Sequence, residues 1–150
     1  RIIKTMRFVK DFEVTTAPAK ALDYIADFSN LASWDSSVID VRFDSDQKFG
    51  VGARYEVDLM FAGRKQTMQY HVRQYVPGEF AELVGENAGS TAIDRITVKE
   101  HPKGARVTYD ADIRIHGPFK LLDPILALVF APTVRKAVNA MRANLNSMDS

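Results

Sequence analysis

Cysteine is absent from the 150 residues. Its absence excludes disulfides, thiolate metal ligands and a cysteine nucleophile. It also suits a reducing compartment, so a cytoplasmic location is the expectation. An excess of one charge sign is missing as well. The formal net charge is +1 and the basic residues are scattered, so no nucleic-acid partner is expected. No apolar run approaches the roughly 20 residues that span a bilayer. The longest lies between Pro124 and Pro132. No membrane span is expected, although transient membrane contact stays open. No secretory leader is visible. The chain opens on Arg1, and Met6 is a candidate initiator.

Several catalytic signatures are also missing. No serine sits in a Gly-x-Ser-x-Gly elbow. No glycine loop of the Gly-x-x-x-x-Gly-Lys kind is present, and Gly50-Val51-Gly52 is too short to cradle a dinucleotide. His71, His101 and His116 stand at no metal-ligand spacing with each other or with an acid. They read as surface histidines. No metal and no cofactor are expected.

What is present is a core-forming composition, 46% hydrophobic and 26% charged, enough for one domain over residues 1–150. The last third carries the strongest pattern. Leu122, Leu126, Val129, Phe130, Val134, Val138, Met141 and Leu145 recur at three- and four-residue steps. That spacing places them on one helix face. A helix of about 26 residues is about 39 Å long and needs a broad surface to bury its stripe. Pro124 suits its first turn. Pro132 falls inside it, either as a kink that follows a curved surface or as a mark of a mobile segment, Leu121 to Ala131, that gates a cavity.

The surface comes from the strands. Phe8, Phe12 and Val14 share a parity between Met6 and Val14. Thr16 reads as an N-cap and Pro18 as a first-turn residue of a short helix carrying Leu22, Ile25 and Phe28. A second short helix or turn covers Leu31 to Trp34. Ile39, Val41 and Phe43 then alternate, followed by Tyr55, Val57, Leu59 and Phe61, and by Met68, Tyr70, Val72 and Val76. Phe80 to Glu86 is less regular. Ile96 and Val98 alternate with charged neighbours. Val107, Tyr109, Ala111, Ile113 and Ile115 form the clearest half-buried strand. Hairpin-length turns between these runs imply an antiparallel sheet with one face to be covered by helices.

Parity also selects candidate site residues. Asp94 shares its side with Ala92, Ile96 and Val98. A carboxylate there needs a partner. It is either a polar anchor or general base facing a ligand, or a structural carboxylate bonded to a buried group. Tyr55, Tyr70 and Tyr109 point to the same covered side. They either contact a ligand or pack with satisfied hydroxyls. Trp34, the only tryptophan, lines a pocket entrance or plugs the corner between the helices. Asp110 and Asp112 have outward parity and read as a solvated strand face.

The element order resembles the helix-grip fold of the START-like superfamily. So do particular stretches. Ala17-Pro18-Ala19, Tyr24-Ile25-Ala26-Asp27-Phe28-Ser29-Asn30 and Trp34-Asp35 look like the opening of its bacterial polyketide cyclase/dehydrase and lipid-transport group. Gly50-Val51-Gly52-Ala53-Arg54-Tyr55 looks like its glycine turn. Met68 to Val72 and Gly104 to Ile113 also fit. The resemblance implies an α+β helix-grip fold: a curved antiparallel sheet of about seven strands around a long C-terminal helix, with two short helices after the first strand. It carries no catalytic residue over to this chain. The expected function is binding or carriage of a small hydrophobic molecule, such as a lipid, isoprenoid or polyketide. The expected cavity is lined by Trp34, Tyr55, Leu59, Met68, Tyr70, Asp94, Tyr109, Leu126 and Phe130. The rivals are a polyketide cyclase or aromatase and a regulator acting through its surface. Oligomeric state is left open.

Overall fold

The protein is described by a computed structural model covering residues 4–61, 63–116 and 123–148, with side chains from residue 5 and, in the last helix, from residue 128. Strand β1 spans Lys4–Val14, and helix α1 spans Pro18–Ala26, followed by a 3₁₀ helix over Phe28–Ser33. Six strands come next: β2 Val38–Phe43, β3 Arg54–Phe61, β4 Arg64–Val76, β5 Phe80–Glu86, β6 Ser90–His101 and β7 Gly104–Ile115. Helix α2, Asp123–Met148, closes the described chain. The strands make one antiparallel sheet in the order β1-β7-β6-β5-β4-β3-β2. β2 to β7 form a meander, and β1 returns to pair with β7. α1 and the 3₁₀ helix carry the chain from one sheet edge to the other. This is the helix-grip arrangement.

The curved sheet grips α2 through the stripe seen in the sequence. Phe130, Val134, Val138, Met141 and Leu145 are all buried, with Ala137 between them. They share one core with Phe12, Val14, Val107 and Tyr109 from the sheet and Leu22, Ile25 and Phe28 from the helical corner. Pro124 falls in the first turn of α2 and Pro132 inside it. The stretch 117–122 lies outside the described residues, as do the side chains of Leu122 and Leu126.

The expected N-cap is displaced by one residue. Ala17 occupies it, with Pro18 at the first helical position, which needs no N–H partner. The Thr16 hydroxyl instead donates to the Leu145 carbonyl and ties the end of β1 to the last turns of α2.

Two strands depart from strict alternation, each for the same reason. A bulge between Val38 and Asp40 shifts the β2 register, leaving Ile39 exposed and Val41 half-buried. A bulge between Val72 and Gln74 reverses the faces of the last part of β4. Val76 therefore points outward, and Tyr75 turns inward, stacks edge-on against Phe49 and donates to Asp23. One extra residue inverts all later side chains in a period-two element. The irregular reading of β5 has another cause: both of its faces are covered, from Ala81 to Gly85.

Asp110 and Asp112 lie on the outer face, as their parity requires, but they are buried rather than solvated. Arg7 donates to both Asp110 carboxylate oxygens, at 3.0 and 2.7 Å, and Arg114 approaches Asp112 at 3.4 Å. Long cationic side chains lying along a sheet cover the short acids beneath them.

Candidate functional site

Between the sheet and α2 lies a chamber of about 110 Å³. Leu59 and Met68 supply apolar wall from β3 and β4, and Phe130 and Val134 close it from α2. Tyr70, Asp94 and Tyr109 make its polar end. Phe61 and Ile113 border both this chamber and a wider groove of about 300 Å³ at the rim, where Arg64, Lys65 and the 87–90 turn form the edge.

The polar end is built across four neighbouring strands. On the inner face of β6, Asp94 stands opposite Ala111, and Ile96 stands opposite Tyr109. Asp94 and Tyr109 are therefore diagonal neighbours, and the Tyr109 hydroxyl donates to Asp94 Oδ2. Asp94 is 8% exposed. Burial pushes its carboxyl up to about 7, since a charge without water is costly. The Tyr109 hydrogen bond pulls the other way, while Asp35 and Asp110 add to the rise. Among the described residues no group donates to Asp94 Oδ1.

Tyr70 reaches the same end from β4. It stands opposite Gly85 on β5. A Cβ on Gly85 would lie 2.5 Å from the ring, so the missing side chain is what lets the ring cross β5. Phe28 packs edge-on against Tyr70 at 5.0 Å. The Tyr70 hydroxyl makes no hydrogen bond among the described residues. Its pKa is raised well above the usual tyrosine value, first by burial and then by Asp94 and Asp35.

Asp35 also borders the chamber, and inspection of the sequence did not single it out as a site residue. It follows the 3₁₀ helix in a turn whose Ser37 amide and hydroxyl both donate to Asp35 Oδ1, at 3.0 and 2.6 Å. Burial raises its pKa, and the two serine bonds oppose the rise. In sequence the Asp-x-Ser spacing reads as a turn signal. Only the fold brings it to the chamber.

Six of the nine expected lining residues thus border the chamber: Leu59, Met68, Tyr70, Asp94, Tyr109 and Phe130. The Leu126 side chain lies outside the described residues. Trp34 and Tyr55 do not border the chamber, and each follows the packing alternative. Trp34 is 2% exposed and packs edge-on against Phe28 and Tyr109, at 6.1 and 5.9 Å. It plugs the corner and backs Tyr109 from behind the chamber. Tyr55 is fully buried between Phe28 and Phe43, and its hydroxyl donates to the Lys48 carbonyl at 3.4 Å. Both sit too far toward the helical corner to reach the wall.

The three histidines are spread apart. His116 pairs with Thr91 at 2.9 Å, and His101 lies 3.4 Å from Glu13. Among the described residues no group of three His, Cys, Asp or Glu side chains is placed to hold a metal. No helix among them is long and apolar enough to cross a membrane.

A sheet closed around one long helix, with a partly polar chamber between them, defines the START-like class. Residues 5–148 match the model of the family described as polyketide cyclase / dehydrase and lipid transport, and the chain belongs to that family. A START superfamily protein from Mycobacterium smegmatis superposes with a TM-score of 0.76 at 12% identity, covering 95% of this chain and 99% of that one. A protein from Thermus thermophilus gives 0.77 at 11% identity, covering 98% and 100%. The di-domain ARO/CYC StfQ from the steffimycin biosynthetic pathway gives 0.72 at 12% identity over 96% of this chain and 52% of its own. These identities speak for the fold alone. No curated protein matches the chain.

Proposed function

We propose that the protein binds a small, largely apolar molecule between the sheet and α2, with the polar end of the ligand held at Asp94, Tyr109 and Tyr70. One observation carries the reading: an apolar chamber ends on a carboxyl oxygen and a tyrosine hydroxyl that no described protein group satisfies. Both atoms keep some access to the chamber, so a ligand group can complete them. An apolar wall with a few convergent polar groups is the usual make-up of a ligand site. The inner chamber accepts about one ring or a short chain, and the outer groove accepts the remainder. Lipids, isoprenoids and polyketides all fit this division. The family match over residues 5–148 supports one such binding domain in the chain.

A second reading rests on Asp94 itself. A buried carboxyl near 7 is matched to proton transfer at neutral pH. Asp94 would take a proton from carbon next to a ketone, and the Tyr70 hydroxyl would donate to the developing enolate oxygen. That is the chemistry of a polyketide cyclase. Binding is common to both readings, so it is tested first. An environment-sensitive apolar dye is expected to bind saturably at one site and to be displaced by long-chain lipids or aromatic polyketides. Met68→Trp, which fills the chamber, is expected to weaken the dye by about tenfold or more while the fold survives. Absence of saturable binding retires the carrier and the cyclase together.

A further inference from the structure

We propose that the inner chamber selects a ligand whose buried end donates hydrogen bonds and carries no negative charge, a hydroxyl or phenol rather than a carboxylate or phosphate, and that Asp35 and Asp94 set this choice. The inference rests on the chamber being a ligand site.

Three carboxyls border the chamber, and two of them, Asp35 and Asp94, each keep one oxygen without a hydrogen-bond partner among the described residues. Asp35 Oδ1 takes both Ser37 donors, which leaves Oδ2 without a partner among the described residues. Asp94 Oδ2 takes the Tyr109 hydroxyl, which leaves Oδ1. Among the described residues the chamber wall contains no lysine, arginine or histidine. Two described cations, Arg64 and Lys65, line the outer groove instead. Asp112 borders the wall too, but its side chain shares the outer face with Asp110 and Arg114.

An anion entering such a chamber loses water, meets two acids and finds no countercharge. Each of these is unfavourable where water is excluded. A hydroxyl meets the opposite situation. It donates to a free carboxyl oxygen and accepts from the Tyr70 hydroxyl, so both halves of its hydrogen-bonding capacity are used. Rejection of the wrong head group would therefore come from built-in repulsion as much as from attraction to the right one. A ligand that also carries an acid would place that acid at the outer groove, beside Arg64 and Lys65.

Three probes with one ring system test this: 2-naphthol, naphthalene and 2-naphthoate, titrated by calorimetry at about pH 8, where the Asp94 carboxyl, raised to about 7, is ionised. The expected order is 2-naphthol tightest and 2-naphthoate weakest, with at least about a tenfold gap, or about 1.4 kcal/mol, between them. Asp35→Asn and Asp94→Asn keep side-chain size, and each is expected to narrow the gap by tightening 2-naphthoate. Circular dichroism checks that the variants fold, and if neither folds the wild-type order alone decides. 2-Naphthoate binding as tightly as 2-naphthol overturns the proposal, as does a gap unchanged in both folded variants. If all three probes bind equally, the cavity reading stands and the selectivity falls. If none binds saturably, both fall.

Discussion

The phenol ring of Tyr70 lies across Gly85, so close that a Cβ on Gly85 would stand 2.5 Å from its Cε1 and Cζ atoms. Gly85 is needed for space rather than for an unusual backbone angle. With any larger residue the ring has to swing into the chamber or away from it. Gly85→Ala is expected to cost about 1–3 kcal/mol of stability, the usual scale for overpacking. It is also expected to weaken dye binding. Combining Gly85→Ala with Tyr70→Ala should cost clearly less than the two single effects added, because the clash disappears with the ring. Urea unfolding of the four proteins measures this coupling, and strict additivity would show that the ring does not rest on Gly85.

Asp94 makes stability depend on pH. Its carboxyl titrates at about 7 in the fold, against about 4 in an unfolded chain. Between those values the folded protein holds a proton that the unfolded chain has released. Stability attributable to Asp94 is therefore fully present below about pH 4 and is lost as pH rises through about 7, by up to roughly 4 kcal/mol. Asp94→Asn keeps an acceptor for Tyr109 and removes the titration. The variant is expected to melt higher than wild type at about pH 8, with the advantage gone near about pH 4. An equal difference at both values would mean that Asp94 does not titrate in this range.

Glu82 gives the opposite sign. On the outer face, Arg73 Nε and Arg95 Nε each donate to one of its oxygens at 2.7 Å, and its side chain is 9% exposed. The Arg73 bond is the first cause of its lowered pKa, and the Arg95 bond adds to it. A depressed carboxyl contributes stability above its unfolded pKa, and that contribution is lost as pH falls through the folded value. Glu82→Gln is expected to cost about 1–3 kcal/mol at neutral pH, the scale of charged hydrogen bonds. The cost should shrink in acid, below about pH 4. Thermal melts across that range check the sign.

Much of this arrangement is legible in the sequence because it depends on periodicity. The buried stripe of α2 from Phe130 to Leu145 follows from three- and four-residue spacing. The inward setting of Met68, Asp94 and Tyr109 follows from alternation alone. What alternation cannot show is where it slips. Ile39 and Val76 face outward because of bulges, and a bulge is a feature of two paired strands. The burial of Asp110 depends on Arg7, 103 positions away. Asp35 belongs to no repeating pattern, and its turn reaches the chamber only after the 3₁₀ helix has folded against the sheet. Trp34 and Tyr55 have the inward character expected of them, but periodicity assigns a face and not a distance along it. They pack at the corner beyond the chamber.

The most direct test of a ligand chamber between the sheet and α2 uses two methionines as reporters. Met68 is 3% exposed and borders the chamber, whereas Met60 is 46% exposed. In protein labelled with carbon-13 at the methionine methyl groups, 2-naphthol is added stepwise and followed by NMR. The account predicts a saturable shift of the Met68 signal, with Met60 unmoved, and loss of the response in a Leu59→Trp variant that fills the chamber. A still Met68 signal, or a shift of Met60 alone, would contradict it.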